Sequence, residues 1–268
     1  MNTDQKGKTA LITGASTGIG REFAQIHAER GGDLVIVARN QEKLEALKTD
    51  LEEKHKITVK VIAQDLAVPE APQLIFDEIT QSGLQIDYLI NNAGFGGQGK
   101  FHEREWKEDM AMIQLNVVTL TELCRLFLPG FVERNSGRIL NVSSTASLVL
   151  GGPLQSVYFA TKAFVTSLNY GIAGELEGPN VTSTALLPGA TETEFAKTSG
   201  LEDTGLFAKA ASARSVASDG YEAMLAGKLD VVSGLTFGQK MMIAAIPFSP
   251  KKMLLKEMRK MQETKSGQ

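Results

Sequence analysis

The chain contains few of the residues that form disulfides or hold metal ions. Its 268 residues include one cysteine, Cys124, and three histidines, His27, His55 and His102. A single cysteine excludes an internal disulfide, and its place in an apolar stretch predicts a buried, inert thiol in a reducing compartment. The histidines are isolated from one another and from any carboxylate cluster, so we expect no metal site.

The chain also has no large excess of positive or negative charge. Lysines and arginines number 28 and acidic residues 31, which leaves a net charge of −3. Nucleic-acid-binding domains usually carry a basic surplus. The balance therefore predicts no nucleic-acid partner.

Long apolar runs are missing as well. Residues 139–161 carry no charge but are rich in Ser, Thr and Gly, and residues 241–250 are too few for a bilayer span, which takes roughly 20 apolar residues. The first eight residues are polar and lead into a predicted strand, which leaves no room for a signal peptide. We expect a soluble, cytoplasmic protein.

Short apolar runs predict strands that are buried on both faces. These runs lie at residues 9–13, 34–38, 59–63, 88–91, 139–143, 181–187 and 231–235. Amphipathic stretches between the first six predict helices, at residues 19–30, 41–54, 69–81, 105–134 (one helix or two) and 156–177. The alternation predicts an α/β fold: one Rossmann-type, doubly wound parallel sheet of about seven strands, with helices on both faces.

In such a sheet, ligands bind beyond the carboxyl ends of the strands. The first strand leads into a glycine turn at residues 13–20 with the spacing G-x-x-x-G-x-G. A glycine turn before a helix lets backbone N–H groups approach a dinucleotide pyrophosphate, although a tight turn without a ligand needs glycine too. The candidate contacts are Gly14, Ser16, Thr17, Gly18, Ile19 and Gly20.

The second and third strands end near residues that suit an adenosine. An acidic residue after the second strand would select NAD, but this chain has Ala38 followed by Arg39. An arginine there favours the 2′-phosphate of NADP, unless it is only a solvated surface residue. Asp65 and Leu66 follow the third strand; the carboxylate either meets the adenine or caps a helix near Pro69.

Small and polar residues follow the fourth and sixth strands. Asn92, Ala93 and Gly94 suit a backbone that passes close under a ligand, although a plain turn would accept them too. After the sixth strand, Pro and Gly stop the strand and hydroxyl residues follow, where we expect the nicotinamide end of the coenzyme. The candidates there are Pro188, Gly189, Thr191 and Thr193.

A serine, a tyrosine and a lysine carry the predicted chemistry. Ser144 follows the fifth strand, and Tyr158 and Lys162 share one helix face because they are four residues apart. A nearby ammonium stabilises a phenolate and lowers the pKa of the phenol from about 10, which prepares it for acid–base catalysis. Ser144 can hold the substrate oxygen beside the phenol.

The order of these motifs resembles the short-chain dehydrogenase/reductase superfamily over nearly the full length of the chain. The resemblance implies a catalytic tetrad of Asn116, Ser144, Tyr158 and Lys162. In that family the tyrosine is the general acid/base, the serine orients the carbonyl, and the lysine lowers the tyrosine pKa and binds the nicotinamide ribose. The asparagine supports a proton relay. From its neighbours alone, Asn116 could equally be a buried, satisfied amide.

The resemblance also implies a coenzyme, a substrate class and an assembly. The glycine spacing and Arg39 match one-domain, NADP-preferring members, with NAD(H) as the second choice. The end of the chain resembles the branch of bacterial broad-specificity reductases and steroid or 3-oxoacyl reductases, which implies an apolar carbonyl or alcohol substrate. The helices predicted at 105–134 and 156–177 resemble those that pair subunits, which implies a homodimer or homotetramer.

Two weakly patterned regions complete the expected organisation. Within a catalytic domain at 1–240, residues 190–215 predict a substrate lid, and residues 241–268 form a basic amphipathic tail. The tail is either a surface helix docked on the domain or an interfacial helix that touches acidic lipid or a partner. Substrate contacts are expected from the 95–101 loop, the lid and the tail.

These expectations combine into one predicted function, an NADP(H)-dependent carbonyl reductase or alcohol dehydrogenase. Two alternatives remain. The first is a nucleotide-sensing protein that keeps the fold without the chemistry. The second is a protein that acts mainly at membrane surfaces through its tail.

Overall fold

The computed structural model describes residues 4–201 and 210–263. The strands are β1 (Thr9–Thr13), β2 (Asp33–Ala38), β3 (Val59–Ala63), β4 (Tyr88–Asn91), β5 (Gly137–Val142), β6 (Val181–Pro188), β7 (Thr191–Glu192), β8 (Ala211–Ser212) and β9 (Asp230–Ser233). The helices are α1 (Gly18–Glu29), α2 (Gln41–His55), α3 (Ala71–Gln81), α4 (Trp106–Ile113), α5 (Leu120–Glu133), α6 (Ser156–Glu175), α7 (Phe195–Thr198), α8 (Ala213–Leu225), α9 (Phe237–Ala245) and α10 (Lys251–Gln262). Short 3₁₀ turns cover Thr145–Leu148 and Ile246–Phe248.

Seven of the described strands form one parallel sheet in the order β3-β2-β1-β4-β5-β6-β9. This confirms the predicted α/β, doubly wound fold. The strand order reverses beside β1, whose neighbours are β2 and β4. Ligand crevices of open α/β sheets form at such a switch point, and the glycine turn after β1 lies there.

The core has two layers, one on each face of the sheet. Helices α1, α2 and α8 bury Phe23, Leu44 and Tyr221 against one face. Helices α3, α5 and α6 bury residues such as Ile75 and Phe127 against the other. Each large apolar side chain removed from water stabilises the fold by about 1.5–3 kcal/mol, so both layers hold the strand ends firmly in place.

The helix predicted at residues 105–134 is continuous but changes its hydrogen-bond register. Helices α4 and α5 are joined by a π-helical segment, Gln114–Thr119, a feature often found at functional sites. In the described part of the chain, Trp106–Glu133 is the helix that is long and apolar enough to cross a membrane by length and composition. Its residues Leu123 and Phe131 are buried in the core.

The region predicted as a lid differs from expectation at its carboxyl end. Residues 202–209, in the middle of that region, lie outside the described residues. Helix α8 begins at Ala213 and buries Val216, Ala217 and Tyr221 in the core, so residues 213–215 belong to the body of the protein. The sequence did not predict α8 because small and polar residues dominate its first turns.

The tail contains two helices, and the first of them begins earlier than expected, at Phe237. Helix α10 follows a 3₁₀ turn and turns one side inward, with Gln262 buried. Pairing of copies through α5 and α6 stays a prediction. Val132 and Phe164 leave exposed apolar surface on those two helices.

Candidate functional site

A cavity of about 690 Å³ lies at the carboxyl edge of the sheet. It is bordered by the segments that follow β1 to β6 and by the tail. The predicted coenzyme and catalytic residues that line it are Gly14, Ser16, Thr17, Gly18, Ile19, Arg39, Asp65, Leu66, Asn92, Ala93, Gly94, Ser144, Tyr158, Lys162, Pro188, Gly189, Thr191 and Thr193. The folded chain therefore collects residues from six strand ends into one cleft.

The glycine turn presents the start of α1 to this cleft. Gly14 and Gly18 have φ angles of 67° and 55°, which residues with a Cβ rarely adopt. Thr17 precedes the helix in an extended conformation and makes no side-chain capping bond, and the first turn holds no acidic residue. The amides and the positive end of the helix dipole are thus available to an anion.

Gly20 does not line the cavity. A Cβ at this position would meet the Gly14 carbonyl oxygen at 2.2 Å and Asn92 Nδ2 at 2.4 Å. Its part is therefore close packing, since only a glycine lets α1 approach the turn that it supports. Instead of the predicted direct contact with a coenzyme, Gly20 supports the cleft indirectly, by letting α1 pack closely against the glycine turn.

Thr13 joins the glycine turn to the loop after β4. Its Oγ1 donates to the Ile90 carbonyl oxygen and accepts from the backbone N–H groups of Asn92 and Ala93, the last two at 3.0 Å. Asn92 Nδ2 in turn donates to the carbonyl oxygens of Thr13 and Gly14. Each such bond contributes about 1 kcal/mol, and together they hold the floor of the cleft.

Two cations border the adenosine end of the cleft. Lys43 is already paired with Glu194 at 3.0 Å, whereas Arg39 enters no ion pair in the described part of the chain. Asp65 accepts a bond from the Ala67 N–H at 3.0 Å and caps its own turn. Helix α3 starts later, after Glu70, so the alternative of Asp65 as a cap of that helix is wrong.

Side-chain hydrogen bonds hold helix α6 on the end of β5. Ser143 Oγ donates to the Lys162 carbonyl oxygen at 2.8 Å and contacts Thr166 Oγ1 at 2.7 Å. Ser144 begins the adjoining 3₁₀ turn, where its Oγ accepts from the Ala146 N–H. These bonds fix the position of α6 relative to the end of β5. Ser144, in the turn after β5, and Tyr158 and Lys162, on α6, therefore face the same cavity.

Burial acts on the pKa of both titratable groups. Desolvation raises the pKa of Tyr158 to about 12, and a hydrogen bond with the Ser144 side chain offsets part of that rise. Desolvation lowers the pKa of Lys162 to about 8. Lys162 Nζ donates to the Val142 carbonyl oxygen at 2.9 Å and lies 5.9 Å from the centre of the Tyr158 ring. The predicted lowering of the tyrosine pKa is thus wrong for this structure, because burial outweighs the hydrogen bond with Ser144.

Asn116 lies behind the cavity wall, within the π-helical segment. Its Nδ2 donates to the Phe95 carbonyl oxygen at 3.0 Å and to Thr161 Oγ1 at 3.1 Å, and its Oδ1 accepts from the Phe95 N–H. The side chain is 1% exposed. Asn116 therefore holds the loop after β4 against α6, and the structure does not bring it to the cavity with the other three.

The part of the cleft beyond Tyr158 is apolar. The Tyr158 ring packs against Phe159 and Phe195, with ring centres 6.2 Å and 5.5 Å away. Met258 of α10 packs on the same cluster, and Leu254 also lines the cavity. Tyr158 thus lies at the junction of a polar cleft and an apolar chamber.

Cys124 and His27 lie elsewhere. Burial raises the pKa of the Cys124 thiol to about 12, as expected for an inert thiol. His27 is enclosed between the Tyr221 hydroxyl, 2.6 Å from Nδ1, and the Lys8 carbonyl oxygen. Among the described residues, no group of three or more His, Cys, Asp or Glu could hold a metal ion.

Comparison with known proteins identifies the family. The model of the short chain dehydrogenase family matches residues 8–203, well over half of the chain. The chain belongs to the short-chain dehydrogenase family. Short-chain dehydrogenases are oxidoreductases, and the match covers the glycine turn, Ser144, Tyr158 and Lys162.

Individual relatives agree with this membership. The very-long-chain 3-oxoacyl-CoA reductase of Rattus norvegicus is 35% identical over 197 residues, which cover 71% of this chain. The chain spans 62% of the length of that relative. A short-chain dehydrogenase from Sphingobium yanoikuyae, solved in complex with NADPH, has 29% identity and a TM-score of 0.80, with 97% of this chain and 99% of that chain covered.

A second solved structure is still closer in shape. It comes from work on the stereoselectivity of a 7β-hydroxysteroid dehydrogenase, with 26% identity and a TM-score of 0.84. The superposition covers 96% of this chain and 99% of that chain.

Several cavity residues carried no recognisable signal in the sequence. Gln64 and Lys43 lie at the adenosine end, and Gln155 and Gln239 lie farther along the cleft. Each is a polar residue near an element end, where the sequence offers many equivalent candidates. The tail residues are different: the helical spacing of Leu254 and Met258 predicted a packed face, although not which surface it would cover.

Proposed function

We propose that this chain is an NADP(H)-dependent oxidoreductase that interconverts an apolar ketone or aldehyde and the corresponding alcohol. The observation that carries the proposal is the shared cavity. Ser144, Tyr158 and Lys162 line the same cleft as the glycine turn and the free guanidinium of Arg39. A hydride carrier and a proton donor can therefore reach one carbonyl group.

The chain fits a nicotinamide dinucleotide at two points. The uncapped start of α1 suits a pyrophosphate. Arg39, which forms no ion pair with any described residue, suits a 2′-phosphate. The NADPH complex of the Sphingobium yanoikuyae relative supports the same choice. When bound, the nicotinamide supplies the hydride or accepts it.

The residues of the chain account for the proton. Tyr158 is a protonated phenol at neutral pH because its pKa is about 12, so it can donate to a carbonyl oxygen that gains a hydride on its carbon. Ser144 can donate a hydrogen bond to the same oxygen and orient it. The Lys162 ammonium stabilises the phenolate that remains, and the proton returns to Tyr158 from solvent.

The apolar chamber supports a large hydrophobic substrate. Phe159, Phe195, Leu254 and Met258 enclose the space beside the phenol, and such a wall offers few partners to a sugar or other polar ketone. The names of two relatives refer to a very-long-chain 3-oxoacyl-CoA and to a hydroxysteroid. A long acyl chain and a steroid skeleton are both large and apolar, so we propose a 3-oxoacyl or steroid-like carbonyl.

The test follows coenzyme oxidation with a panel of aliphatic ketones, steroids, sugars and 3-oxoacyl thioesters, with NADPH and NADH in parallel. Removing a general acid costs roughly 10²- to 10⁴-fold in turnover, so Tyr158→Phe should lose most activity while NADPH still binds. Tyr170→Phe is the control, since Tyr170 lies on the same helix outside the cavity. Full turnover in Tyr158→Phe would refute the proposal. NADPH binding with no turnover on any substrate would favour a nucleotide-sensing protein.

A further inference from the structure

We infer that the outer surface of the tail docks on a lipid bilayer that contains anionic headgroups. The surface consists of the exposed side chains of residues 237–263, which we call the tail surface. Helix α9, despite its apolar sequence, buries none of its nine residues. Phe237, its first residue, is 80% exposed, and Phe248, in the 3₁₀ turn that follows it, is 90% exposed. Apolar surface left uncovered to this extent usually marks a site of contact.

The tail surface is also basic. Residues 237–263 contain six lysines and arginines against two glutamates, in a chain whose net charge is −3. The cations are Lys240, Lys251, Lys252, Lys256, Arg259 and Lys260. Basic groups among exposed aromatic and methionine side chains match an interface in which apolar groups enter the acyl region and cations meet acidic headgroups.

The inner side of α10 is already occupied by the body of the protein. Leu254, Met258 and Gln262 recur at intervals of four residues and are the least exposed positions of the helix. Gln98 Nε2 donates to the Gln262 carbonyl oxygen and ties the helix down. The outer side, with Met253 and the lysines, therefore remains available while the tail stays in place.

Residues of the tail surface border the cavity. Met242, Leu255 and Met261 line it, and they are 56%, 40% and 39% exposed. A docked tail would place this border of the cavity against the acyl region of the bilayer. If the proposed function holds, an apolar carbonyl compound could then pass from the bilayer to Tyr158 without crossing water.

A bilayer suits the tail surface better than a second copy of this chain does. Protein–protein interfaces are depleted in lysine, whereas five lysines lie among the exposed apolar residues here. Lysine stems can lie along an apolar surface while their ammonium groups reach the headgroups. The five lysines therefore favour a bilayer over a second copy of this chain as the partner of the tail surface.

Flotation with vesicles tests the inference on the full chain without coenzyme or substrate. We expect binding to phosphatidylcholine vesicles with about 30% phosphatidylserine, weaker binding as salt rises, and little binding to pure phosphatidylcholine. Lys251→Gln/Lys252→Gln should weaken binding roughly 30-fold, since each cation near the surface contributes about 1 kcal/mol. Phe248→Ser should weaken it roughly tenfold. None of these three side chains lines the cavity, so turnover of a water-soluble ketone should not change.

Matched controls lie at the amino edge of the sheet, opposite the cavity. Leu229→Ser removes an apolar side chain that is 51% exposed, and Lys6→Gln/Lys228→Gln removes two exposed lysines. Both should bind vesicles like the unaltered chain.

The inference is overturned if the unaltered chain binds neither kind of vesicle, if the controls lose as much vesicle binding as the tail variants, or if Phe248→Ser changes only the oligomeric state. Vesicle binding without turnover would contradict the proposed function alone, and turnover without vesicle binding would contradict this inference alone.

Discussion

Lys162 Nζ faces the Tyr158 ring from 5.9 Å while it donates to the Val142 carbonyl oxygen at 2.9 Å. The ammonium is therefore held by the end of β5, one helical turn from the phenol. Burial of each group lowers the pKa of Lys162 to about 8 and raises the pKa of Tyr158 to about 12. At neutral pH, Tyr158 is therefore a protonated phenol. The neighbouring Lys162 ammonium loses its charge as pH rises through about 8.

The charge of Lys162 should control the pH dependence of carbonyl reduction. Below about pH 8 the ammonium stabilises the phenolate left by proton donation, and above it that charge is lost. Reductive turnover should therefore fall as pH rises through about 8. Lys162→Met should lower turnover roughly tenfold or more throughout and should remove this limb. The measurement is kcat at saturating coenzyme, at pH values below and above about 8. If kcat of Lys162→Met still fell as pH rose through about 8, the fall could not be assigned to Lys162.

Arg39→Asp should change the choice of coenzyme. The unpaired guanidinium would lose its contact with a 2′-phosphate, and the new carboxylate would repel it. The loss of one charged contact predicts roughly 10- to 100-fold weaker NADPH binding, with NADH binding much less affected. Lys43→Gln is the comparison, because Lys43 is already paired with Glu194 and should matter less. Equal weakening of both coenzymes by Arg39→Asp would exclude the phosphate role.

Met258→Trp should exclude large substrates selectively. The indole would occupy space beside Phe195 and Tyr158, where Met258 now packs, and overpacking costs about 1–3 kcal/mol. The KM for a long-chain ketone should rise roughly tenfold or more, while a short ketone keeps its kinetic constants. Met253→Trp is the matched control on the outer side of α10, where Met253 is 53% exposed. Both variants are to be assayed without vesicles, and an equal effect on short and long ketones would reject the chamber as the acyl site.

His27 should make the fold sensitive to acid. Burial lowers the pKa of His27 from 6.5 to about 4, so the folded state keeps it neutral while the unfolded state takes up a proton. The associated stability is present above 6.5 and is lost as pH falls to about 4, on the order of 3 kcal/mol in all.

Urea unfolding at about pH 7 and about pH 5 measures this effect. His27→Gln should be less stable at the higher pH, because the bond with the Tyr221 hydroxyl is altered. The variant should nevertheless lose about 2 kcal/mol less than the unaltered chain between the two conditions. Parallel losses in the two proteins would mean that other groups carry the acid sensitivity.

The predicted strands agree closely with the observed ones, because parallel strands buried on both faces are short continuous apolar runs. The runs at 9–13, 59–63 and 88–91 match β1, β3 and β4 at both ends. Helix α8 was not predicted, since small and polar residues dominate its first turns and most of its buried side chains are small, apart from Val216, Tyr221 and Met224. The π-helical turn at Asn116 was not predicted either, because its register is set by packing between α4, α5 and α6.

The sequence by itself determined the fold class and the chemical inventory of the cleft. Strand–helix alternation dictates a parallel sheet, and a parallel sheet brings every strand-end motif to one edge, so Gly14 and Ser144 had to meet there. Tertiary structure alone decided how those groups behave. The pKa of Tyr158 rises instead of falling, Asn116 lies behind the wall, and Met258 closes the chamber. Desolvation and contact distances depend on residues that are far apart in the chain, so they cannot be predicted from a local sequence pattern.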